Sequence, residues 1–461
     1  MGLAGHVWPQ ASMGLTPGAG LENRREQTRK RKFVMQRQNS RRIAVIGAGI
    51  AGLSAAWLLA PRHGVTLFEA QDYLGGHTRT VDVTLDGISH PIDTGFLVFN
   101  DRTYPNLNGL FDHLGVQHTQ SDMSFSVRIV DQNLEWAGTN LNSVFADRHN
   151  LLRPRFWTML NDIRRFNREA TMLVRDERIP DCSLRDYLRD QRYSDAFQTG
   201  YLIPMVASIW SAPSGAILSF PLATLLRFCH NHGLLSISNR PRWRTVVGGG
   251  REYVKRIAQH LADIRLGKPV VRVTRGPTQV KVATSESEAT FDQVVLACHP
   301  DQALALLSDA SPQEREILSA IRYQGNRAIL HTDASFLPTR RRAWAAWNYR
   351  AEGARISDAP VFVTYLINRL QPLPFERPVM VSLNPGTMPA RQTLLGEYHY
   401  AHPVLDGAAI TAQTKLASIQ GLNRAWFCGA WTRYGFHEDG LMSALAVANQ
   451  FDVRAPWQSA A

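Results

Sequence analysis

Residues 41–80 read RRIAVIGAGIAGLSAAWLLAPRHGVTLFEAQDYLGGHTRT. This pattern predicts a short apolar strand, a glycine-rich turn at 47–52, a helix of small residues, and a second strand that ends at Glu69. A pair of glycines, Gly75 and Gly76, follows shortly after the acidic residue. The order of these elements indicates a βαβ unit of an α/β fold.

Each glycine of the turn has a physical role at this spacing. Gly47 permits the tight turn, Gly49 lets the backbone approach a pyrophosphate, and Gly52 lets the helix lie close to the strand. The unpaired N–H groups and the partial positive charge at the start of the helix favour phosphates. Glu69 lies about 20 residues further on, where it can accept hydrogen bonds from a ribose diol. The segment therefore predicts a dinucleotide site, and the glutamate disfavours NADP because it would repel a 2′-phosphate.

The composition is that of a globular protein with an unusual charge distribution. The 461 residues are enough for two domains, and 44% of them are hydrophobic. Nine basic and two acidic residues lie between Glu22 and Arg42, which places +7 of the net charge of +12 there. We therefore predict a disordered basic segment over 1–40 and no nucleic-acid binding. A contact of this tail with lipid headgroups, a solvated tail, and an upstream extension before a true start at Met35 all stay open.

The cysteines give no sign of a disulfide framework or a metal site. Cys182, Cys229, Cys298 and Cys428 lie far apart and form no CxxC pair. We expect them to be small, buried, hydrophobic residues of a cytoplasmic protein. No segment is apolar enough over a sufficient length to predict a transmembrane helix.

The rest of the chain alternates between two kinds of pattern. Strand and helix patterns recur over 41–130, 240–325 and 415–455, which predicts one discontinuous nucleotide-binding domain. The stretches 131–239, mainly helical, and 326–414, mainly strands, are expected to form a second domain. The aromatic content of the helical stretch suits the lining of an apolar pocket, and a plain helical core explains it equally well.

Three motifs, in this order, resemble those of the flavin-containing amine oxidases and phytoene-desaturase-like enzymes. They are GAGIAGL at 47–53 with the later EA and GGHTRT, VVLAC at 294–298, and WFCGAW at 426–431 followed by EDGLMSAL at 438–445. Together they extend over nearly the whole chain. The segments TGFLVFN, YPNL and IPMVASIWSAP resemble a bacterial subgroup of predicted NAD/FAD-binding proteins. Some relatives of that subgroup act as desaturases on lipid acyl chains.

The resemblance implies a fold, a cofactor and a set of binding residues. The fold would be α/β, of the glutathione-reductase and amine-oxidase type, with a discontinuous Rossmann-like FAD-binding domain and a second α+β substrate domain. The cofactor would be FAD. Its binding residues would be Gly47, Ala48, Gly49, Ile50, Ala51, Gly52, Glu69, Ala70, Gly75, Gly76, His77, Thr78, Thr80, Gly95, Phe96, Val270, Gly429, Gly440 and Leu441. The N-terminus of the last helix would stabilise the negative charge that a flavin gains on reduction.

One position departs from the family pattern. The family commonly has an arginine where this chain has His77, and that arginine supports the phosphate region of the cofactor. Arg79 or the backbone would have to replace it.

The sequence contains no catalytic triad, and the resemblance suggests only pocket walls. Trp210, Tyr434, Phe436 and His437 are the candidates, with Trp210 and Phe436 as an aromatic pair beside the flavin. We interpret Asp439 as the N-cap of the last helix, next to Glu438 as a charge that complements the helix dipole.

The resemblance favours one function over two alternatives. The chain is expected to be an FAD-dependent oxidoreductase that transfers a hydride from an apolar substrate, either a lipid acyl chain or an amine, to flavin N5. A flavin-dependent isomerase without net redox and a true amine oxidase that produces hydrogen peroxide are the alternatives. The expected partners are a small-molecule or lipid substrate and a peripheral membrane contact. The electron acceptor is unknown.

Overall fold

A computed structural model describes residues 40–236, 240–353 and 360–458. The basic segment predicted to be disordered lies almost entirely outside the described residues. Within them, no helix is long and apolar enough to cross a membrane. Cys229 and Cys428 are buried and Cys182 and Cys298 are partly buried, and none of the four is paired in a disulfide.

The predicted βαβ unit lies in a five-stranded sheet in which all neighbouring strands are parallel. The strand order is Asp263–Arg265, Gly64–Phe68, Arg42–Ile46, Gln293–Leu296 and Ala425–Phe427. Ile46 pairs with Leu296, and Leu296 pairs with Phe427, so these strands end at the same level. The turn after the first strand therefore lies beside the two segments that follow the other strands, at the carboxyl edge where α/β sheets bind ligands.

Four helices cover this sheet or pack against the helices that do. They are Ile50–Leu59, Pro105–Leu114, Arg251–Ala258 and His437–Asn449. All ten residues of Ile50–Leu59 are buried, because the sheet lies on one side of this helix and other helices lie on the other. Small residues predominate in its first half, which allows this close approach on every side.

A seven-stranded sheet forms the centre of the second domain. Its strand order is Leu394–Pro403, Tyr323–His331, Met380–Leu383, Val363–Leu366, Trp347–Ala351, Phe125–Ile129 and Leu134–Ala137. Phe125–Ile129 pairs in parallel with Trp347–Ala351, and the other pairs are antiparallel. The sheet corrects one predicted boundary, because the limit at 130 would cut through the hairpin 125–137. A limit before Phe125 fits the strand pairing.

The mainly helical insertion confirms the pattern found in the sequence. Its helices are Leu141–Val144, Pro154–Arg175, Leu184–Asp190, Asp195–Phe197, Ile203–Trp210, Ser214–Ile217 and Leu222–Asn231, with a 3-10 turn at Arg148–Leu152 and a π-helical turn at Gln198–Leu202. Ser183 caps its helix by accepting from Asp186 N at 3.2 Å. Together the two sheets and the insertion confirm the predicted α/β class with a Rossmann-like domain and a second α+β domain.

Smaller elements complete the fold. Three minor sheets consist of Thr80–Leu85 with Ile88–Asp93, of Phe99–Asn100 with Trp243–Val246 and His118–Gln120, and of Val270–Arg275 with Val280–Thr284 and Glu288–Phe291. The other helices are Pro300–Leu306, Pro312–Ser319, Ile367–Leu370 and Gly407–Lys415. Short 3-10 turns lie at Ala334–Phe336, Arg341–Ala343, Arg391–Thr393, Leu416–Ser418, Leu422–Arg424 and Ala430–Thr432.

Candidate functional site

The glycine-rich turn has the geometry that its spacing predicts. Gly47 has a φ of +101°, and a Cβ atom there would lie 2.9 Å from Ala297 O. At Gly52 a Cβ would lie 1.8 Å from Gly47 O, so only glycine lets the helix pack on the turn. At Gly49 a Cβ would meet nothing within 4 Å. Protein atoms therefore fill the space around Gly47 and Gly52, whereas the space beside Gly49 is open.

The second glycine pair extends the same cradle. Gly75 N donates to Ala48 O at 2.8 Å, and Gly75 and Gly49 form an isolated parallel bridge. A Cβ at Gly76 would lie 3.0 Å from Gly49 Cα. The loop predicted to line the phosphate region thus lies directly against the first turn.

Two helix N-termini meet at this cradle. Gly49 is the N-cap of helix Ile50–Leu59, and no side chain caps that helix. Gly440, in the first turn of helix His437–Asn449, lies so close to Ile50 that a Cβ would be 2.8 Å from Ile50 Cγ2. Gly429, at the start of the loop that leads to this helix, donates its N–H to Ser443 Oγ at 2.8 Å. The first and last motifs of the chain are therefore brought together, and uncapped N–H groups suit an anionic ligand.

Glu69 lies beside this turn but already has backbone partners. Its Oε2 accepts from Ala48 N at 2.7 Å and its Oε1 accepts from Gln71 N at 2.9 Å. Its carbonyl accepts from Lys268 N at 3.1 Å, which brings the chain leading to Val270 near the end of the second strand. Ala70 is exposed.

His77 belongs to a group of histidines that the sequence does not group together. Its Nε2 donates to Ala401 O at 3.0 Å, and its ring centroid lies 5.3 Å from that of His402 and 6.3 Å from that of His299. Burial lowers the pKa of His77, and it lowers the pKa of His299 to about 4 and that of His402 to about 3. These rings are therefore neutral at pH 7, so the histidines themselves supply no permanent positive charge in place of the arginine of the family pattern.

A second polar group links the loop after Gly76 to the last helix. Thr78 Oγ1 hydrogen-bonds both Tyr253 OH at 2.6 Å and His437 Nε2 at 2.8 Å. The Phe96 ring stacks on His437 with centroids 3.7 Å apart. Burial lowers the pKa of His437 to about 3. This candidate pocket residue is therefore a neutral, fixed group whose ring lies against Phe96 and the Thr78 hydroxyl.

Thr80 and Gly95 have structural contacts of their own. Thr80 Oγ1 donates to Asp93 Oδ1 at 2.5 Å and accepts from Arg251 N at 3.0 Å, so its hydroxyl is already fully used. Phe96 N donates to His77 O at 2.9 Å, and a Cβ at Gly95 would lie 2.1 Å from the same oxygen. Gly95 is therefore required for the close approach of these two loops.

The predicted aromatic wall is assembled from distant segments. Trp210 Nε1 donates to Tyr434 O at 3.1 Å, and the Trp210 and Phe436 rings lie 6.5 Å apart. Phe228 fills the gap, with its centroid 4.5 Å from Trp210 and 5.2 Å from Phe436. His232 stacks on Phe228 at 3.9 Å. Phe228 and His232 were not predicted, because nothing local distinguishes them from ordinary core residues.

One predicted cap at the last helix is corrected. The N-cap is Phe436, and Asp439 is the third helical residue, whose Oδ2 accepts from Phe436 N at 2.9 Å. Burial raises the pKa of Asp439 to about 7. Glu438 lies in the first turn of this helix, and it also accepts from Asn106 N and Leu107 N, both at 2.9 Å, and so caps helix Pro105–Leu114. Leu441 is fully buried behind these residues.

The cradle fits a dinucleotide such as FAD. A space on the open side of Gly49, the uncapped helix N-terminus there and a nearby carboxylate are the features that hold a pyrophosphate and an adjoining ribose. Among the described residues, no group of three or more His, Cys, Asp or Glu side chains is placed to hold a metal ion.

Sequence and structure comparisons point to one class of proteins. The carotenoid phi-ring synthase of Streptomyces griseus is 28% identical over 65% of this chain and 59% of its own length. An L-amino-acid oxidase of Bungarus fasciatus is 24% identical over 73% of this chain and 65% of its own length. The chain therefore spans less than two thirds of both curated relatives.

A solved structure shows the same fold. A fatty acid isomerase from P. acnes superimposes with a TM-score of 0.61 at 15% identity, over 90% of this chain and 99% of that one. Residues 50–364 match the family described as flavin containing amine oxidoreductase. Since this match covers more than half of the sequence, the chain belongs to the flavin containing amine oxidoreductases, which are FAD-dependent oxidoreductases.

Proposed function

We propose that this chain uses FAD to oxidise an apolar substrate, a lipid acyl chain or an amine. The observation that carries the proposal is that the uncapped N-terminus of helix Ile50–Leu59 meets the first turn of helix His437–Asn449, at Gly49, Ile50 and Gly440. When bound, the flavin accepts a hydride from the substrate. The flavin-dependent isomerase alternative is not favoured by the family.

The residues around the cradle divide the binding of FAD between them. The pyrophosphate would lie at the open side of Gly49, where it receives backbone N–H groups and the positive end of the helix dipole. Glu69 would hold the adenosine ribose, at the cost of part of its present hydrogen bonding to Ala48 N. The N-terminus of helix His437–Asn449 would face the flavin pyrimidine edge and stabilise negative charge there.

The histidines around His77 would support the cofactor without a fixed charge. His77 is oriented by Ala401 O, and His402 is oriented by Asn326 Nδ2, which donates to its Nδ1 at 2.8 Å. Both rings are neutral at pH 7, so they would donate or accept hydrogen bonds rather than neutralise phosphate. We therefore assign the electrostatic part of phosphate binding to the backbone.

The substrate would lie against the aromatic wall. The indole N–H of Trp210 is already bonded to Tyr434 O, so the ring offers an apolar surface with no unsatisfied donor. Phe228 and Phe436 extend that surface toward His437. The wall excludes water and positions a C–H bond, which is most of what a flavin oxidation needs from side chains. This wall favours an acyl chain, and a peripheral membrane contact would supply it.

Anaerobic reduction of the flavin tests the proposal and separates the substrates. We expect bleaching by phospholipid vesicles with monounsaturated acyl chains, and no hydrogen peroxide burst with small amines. Trp210→Leu should slow the bleaching while the flavin content stays the same. Trp344→Leu is the matched control, because its indole also donates to a carbonyl, Pro338 O at 2.7 Å, outside the wall. Bleaching by amines alone would identify a true amine oxidase, and bleaching by neither class would refute an apolar substrate.

A further inference from the structure

The two most exposed large apolar side chains in the described part of the chain, Leu152 and Leu141, lie 11 positions apart in the sequence. Four side chains between 141 and 157 are exposed: Leu141 by 77%, Leu151 by 46%, Leu152 by 84% and Trp157 by 49%. We call these four residues the 141–157 surface. Isolated exposed leucines are ordinary, but a contiguous apolar surface on a globular protein marks a contact with another phase or molecule.

The 141–157 surface is held together by its own hydrogen bonds. Trp157 Nε1 donates to Leu151 O at 2.9 Å, and the Phe145 ring lies 5.5 Å from the Trp157 ring. Arg148 donates to Phe145 O at 2.9 Å, which ties the 3-10 turn to the preceding helix. The surface is therefore preformed. The indole N–H is already satisfied, so the ring can enter an apolar medium without leaving a donor unpaired.

Exposed arginines lie within residues 141–157 and along the helix Pro154–Arg175 that continues from this surface, and exposed acidic residues first follow at Asp176 and Glu177, beyond the far end of that helix. Between 141 and 175, five arginines are exposed: Arg148, Arg155, Arg164, Arg168 and Arg175. The acidic residues between 141 and 175 are buried or hydrogen-bonded within the protein. Asp147 and Asp162 are buried, with 1% and 6% exposure, and Glu169 accepts from Tyr193 OH at 2.6 Å. Asp147 and Asp162 also pair with Arg340 and Arg165.

An apolar centre bordered by arginines is complementary to an anionic lipid surface. Membrane binding is stabilised when leucine and tryptophan side chains enter the interface between headgroups and acyl chains. It is stabilised further by the attraction of each nearby arginine to the negative surface potential.

We propose that the 141–157 surface docks this protein on an anionic phospholipid membrane. This inference extends the proposed function, since it names the phase from which an apolar substrate would come. Docking can be tested without measuring oxidation, because it is measured as binding to vesicles. A failure to dock and a failure to oxidise lipid are therefore distinguishable.

Vesicle flotation of the full-length protein tests the docking. We expect the wild type to float with vesicles of phosphatidylglycerol and phosphatidylcholine, and much less with phosphatidylcholine alone. Leu141→Ser with Leu152→Ser should lower the vesicle-bound fraction by about tenfold, because two exposed leucines no longer enter the membrane. Arg155→Glu with Arg164→Glu should lower it by a similar factor at low salt.

Control variants isolate the surface from general effects. Leu422→Ser removes a leucine that is 45% exposed elsewhere and should not change flotation. All variants should keep the wild-type melting temperature and flavin content, since the replaced side chains are exposed.

Three results would overturn the proposal. The first is a wild type that does not float. The second is a double leucine variant that floats as well as the wild type, which would place membrane binding elsewhere, for example in the basic N-terminal segment. The third is a wild-type dimer in gel filtration that becomes monomeric in the leucine variant, which would assign the surface to a second copy of the chain.

Discussion

Gly49 and Gly52 differ in what a side chain at each position would contact. A Cβ at Gly52 would collide with Gly47 O, so this glycine is needed for the fold itself. A Cβ at Gly49 would meet no protein atom within 4 Å, and its φ of −71° is allowed for any residue. The fold therefore does not need a glycine at 49, and a bound ligand does.

We expect Gly49→Ala to separate folding from cofactor binding. The variant should keep the melting temperature of the apoprotein, since its methyl group contacts nothing there. It should bind FAD about tenfold or more weakly, because the methyl group occupies the space where a pyrophosphate approaches the backbone. Titration with FAD, followed by quenching of flavin fluorescence, measures the change. Gly386→Ala, also with free space around it, is the control and should bind FAD normally.

His331 shows how a single buried ring makes stability depend on pH. Its Nδ1 accepts from Asp333 N at 3.1 Å and its Nε2 bonds Ser382 Oγ at 2.8 Å, so both bonds are made by the neutral ring. Burial lowers its pKa to about 4. Below pH 6.5 the unfolded chain binds a proton that the folded chain does not, so the free energy of unfolding falls as the pH falls toward 4.

Replacing His331 should therefore flatten the pH dependence of stability. Between pH 7 and pH 5 the wild type should lose about 2 kcal/mol more than His331→Gln, as judged by urea unfolding at each pH. At pH 7 the variant should be about 1 kcal/mol less stable, because its hydrogen bonds are imperfect. His149→Gln replaces an exposed ring, and a matching change of slope there would contradict this explanation.

At the scale of elements, the hairpin of strands Thr80–Leu85 and Ile88–Asp93 caps the helix Arg251–Ala258. Asp93 accepts from Gly250 N with both carboxylate oxygens, at 2.9 and 3.1 Å, and Thr80 accepts from Arg251 N. Gln371 Nε2 donates to Asp93 Oδ2 at 2.8 Å from the second domain. One buried carboxylate thus joins three segments that are far apart in sequence.

We expect Asp93→Ala to lower the free energy of unfolding by about 3 kcal/mol, since it leaves buried donors without partners. Asp82 lies on the same hairpin and pairs with Arg251 at 2.7 Å, but it is exposed. Asp82→Ala should therefore cost at most about 1 kcal/mol. Chemical unfolding of both variants measures the difference. Equal losses would mean that the hairpin is held by its surface charge rather than by the buried cap.

The elements that could be predicted from the sequence are those specified by neighbouring residues. The strand, the turn at Gly47 and the helix after it follow from local apolar pattern and glycine spacing. The long helix Pro154–Arg175 follows from its periodicity. The predicted domain limit at 130 fell inside the hairpin 125–137, because the partner strand Trp347–Ala351 of Phe125–Ile129 is more than 200 residues away.

The candidate site was predicted less completely than the fold, because several of its contacts join residues that are far apart in the sequence. The cofactor cradle depends on motifs that can be recognised one at a time. The roles of Glu438, His299 and His402 depend on contacts across the whole chain, and no local pattern indicates them. His77 stands where the family commonly has an arginine, and nothing in the sequence indicated that its ring would lie near those of His299 and His402.

Across the whole molecule, we expect the first and last motifs of the chain to form one cofactor site. The parallel sheet aligns the ends of three strands, and helix His437–Asn449 then places Gly440 against Ile50. The second domain packs Trp210 against the loop before this helix, through its bond to Tyr434 O and its contact with Phe436. Cofactor, wall and membrane-facing surface would then lie on a single folded chain.

The visible absorption spectrum of the purified full-length protein tests directly whether the first and last motifs form one FAD site. After incubation with FAD and removal of the excess, we expect the bands of oxidised flavin at a ratio of one FAD per chain. Gly49→Ala, prepared in the same way, should retain much less flavin with its fold intact. A wild-type protein that stays colourless, folds normally and cannot be reconstituted with FAD would contradict the account.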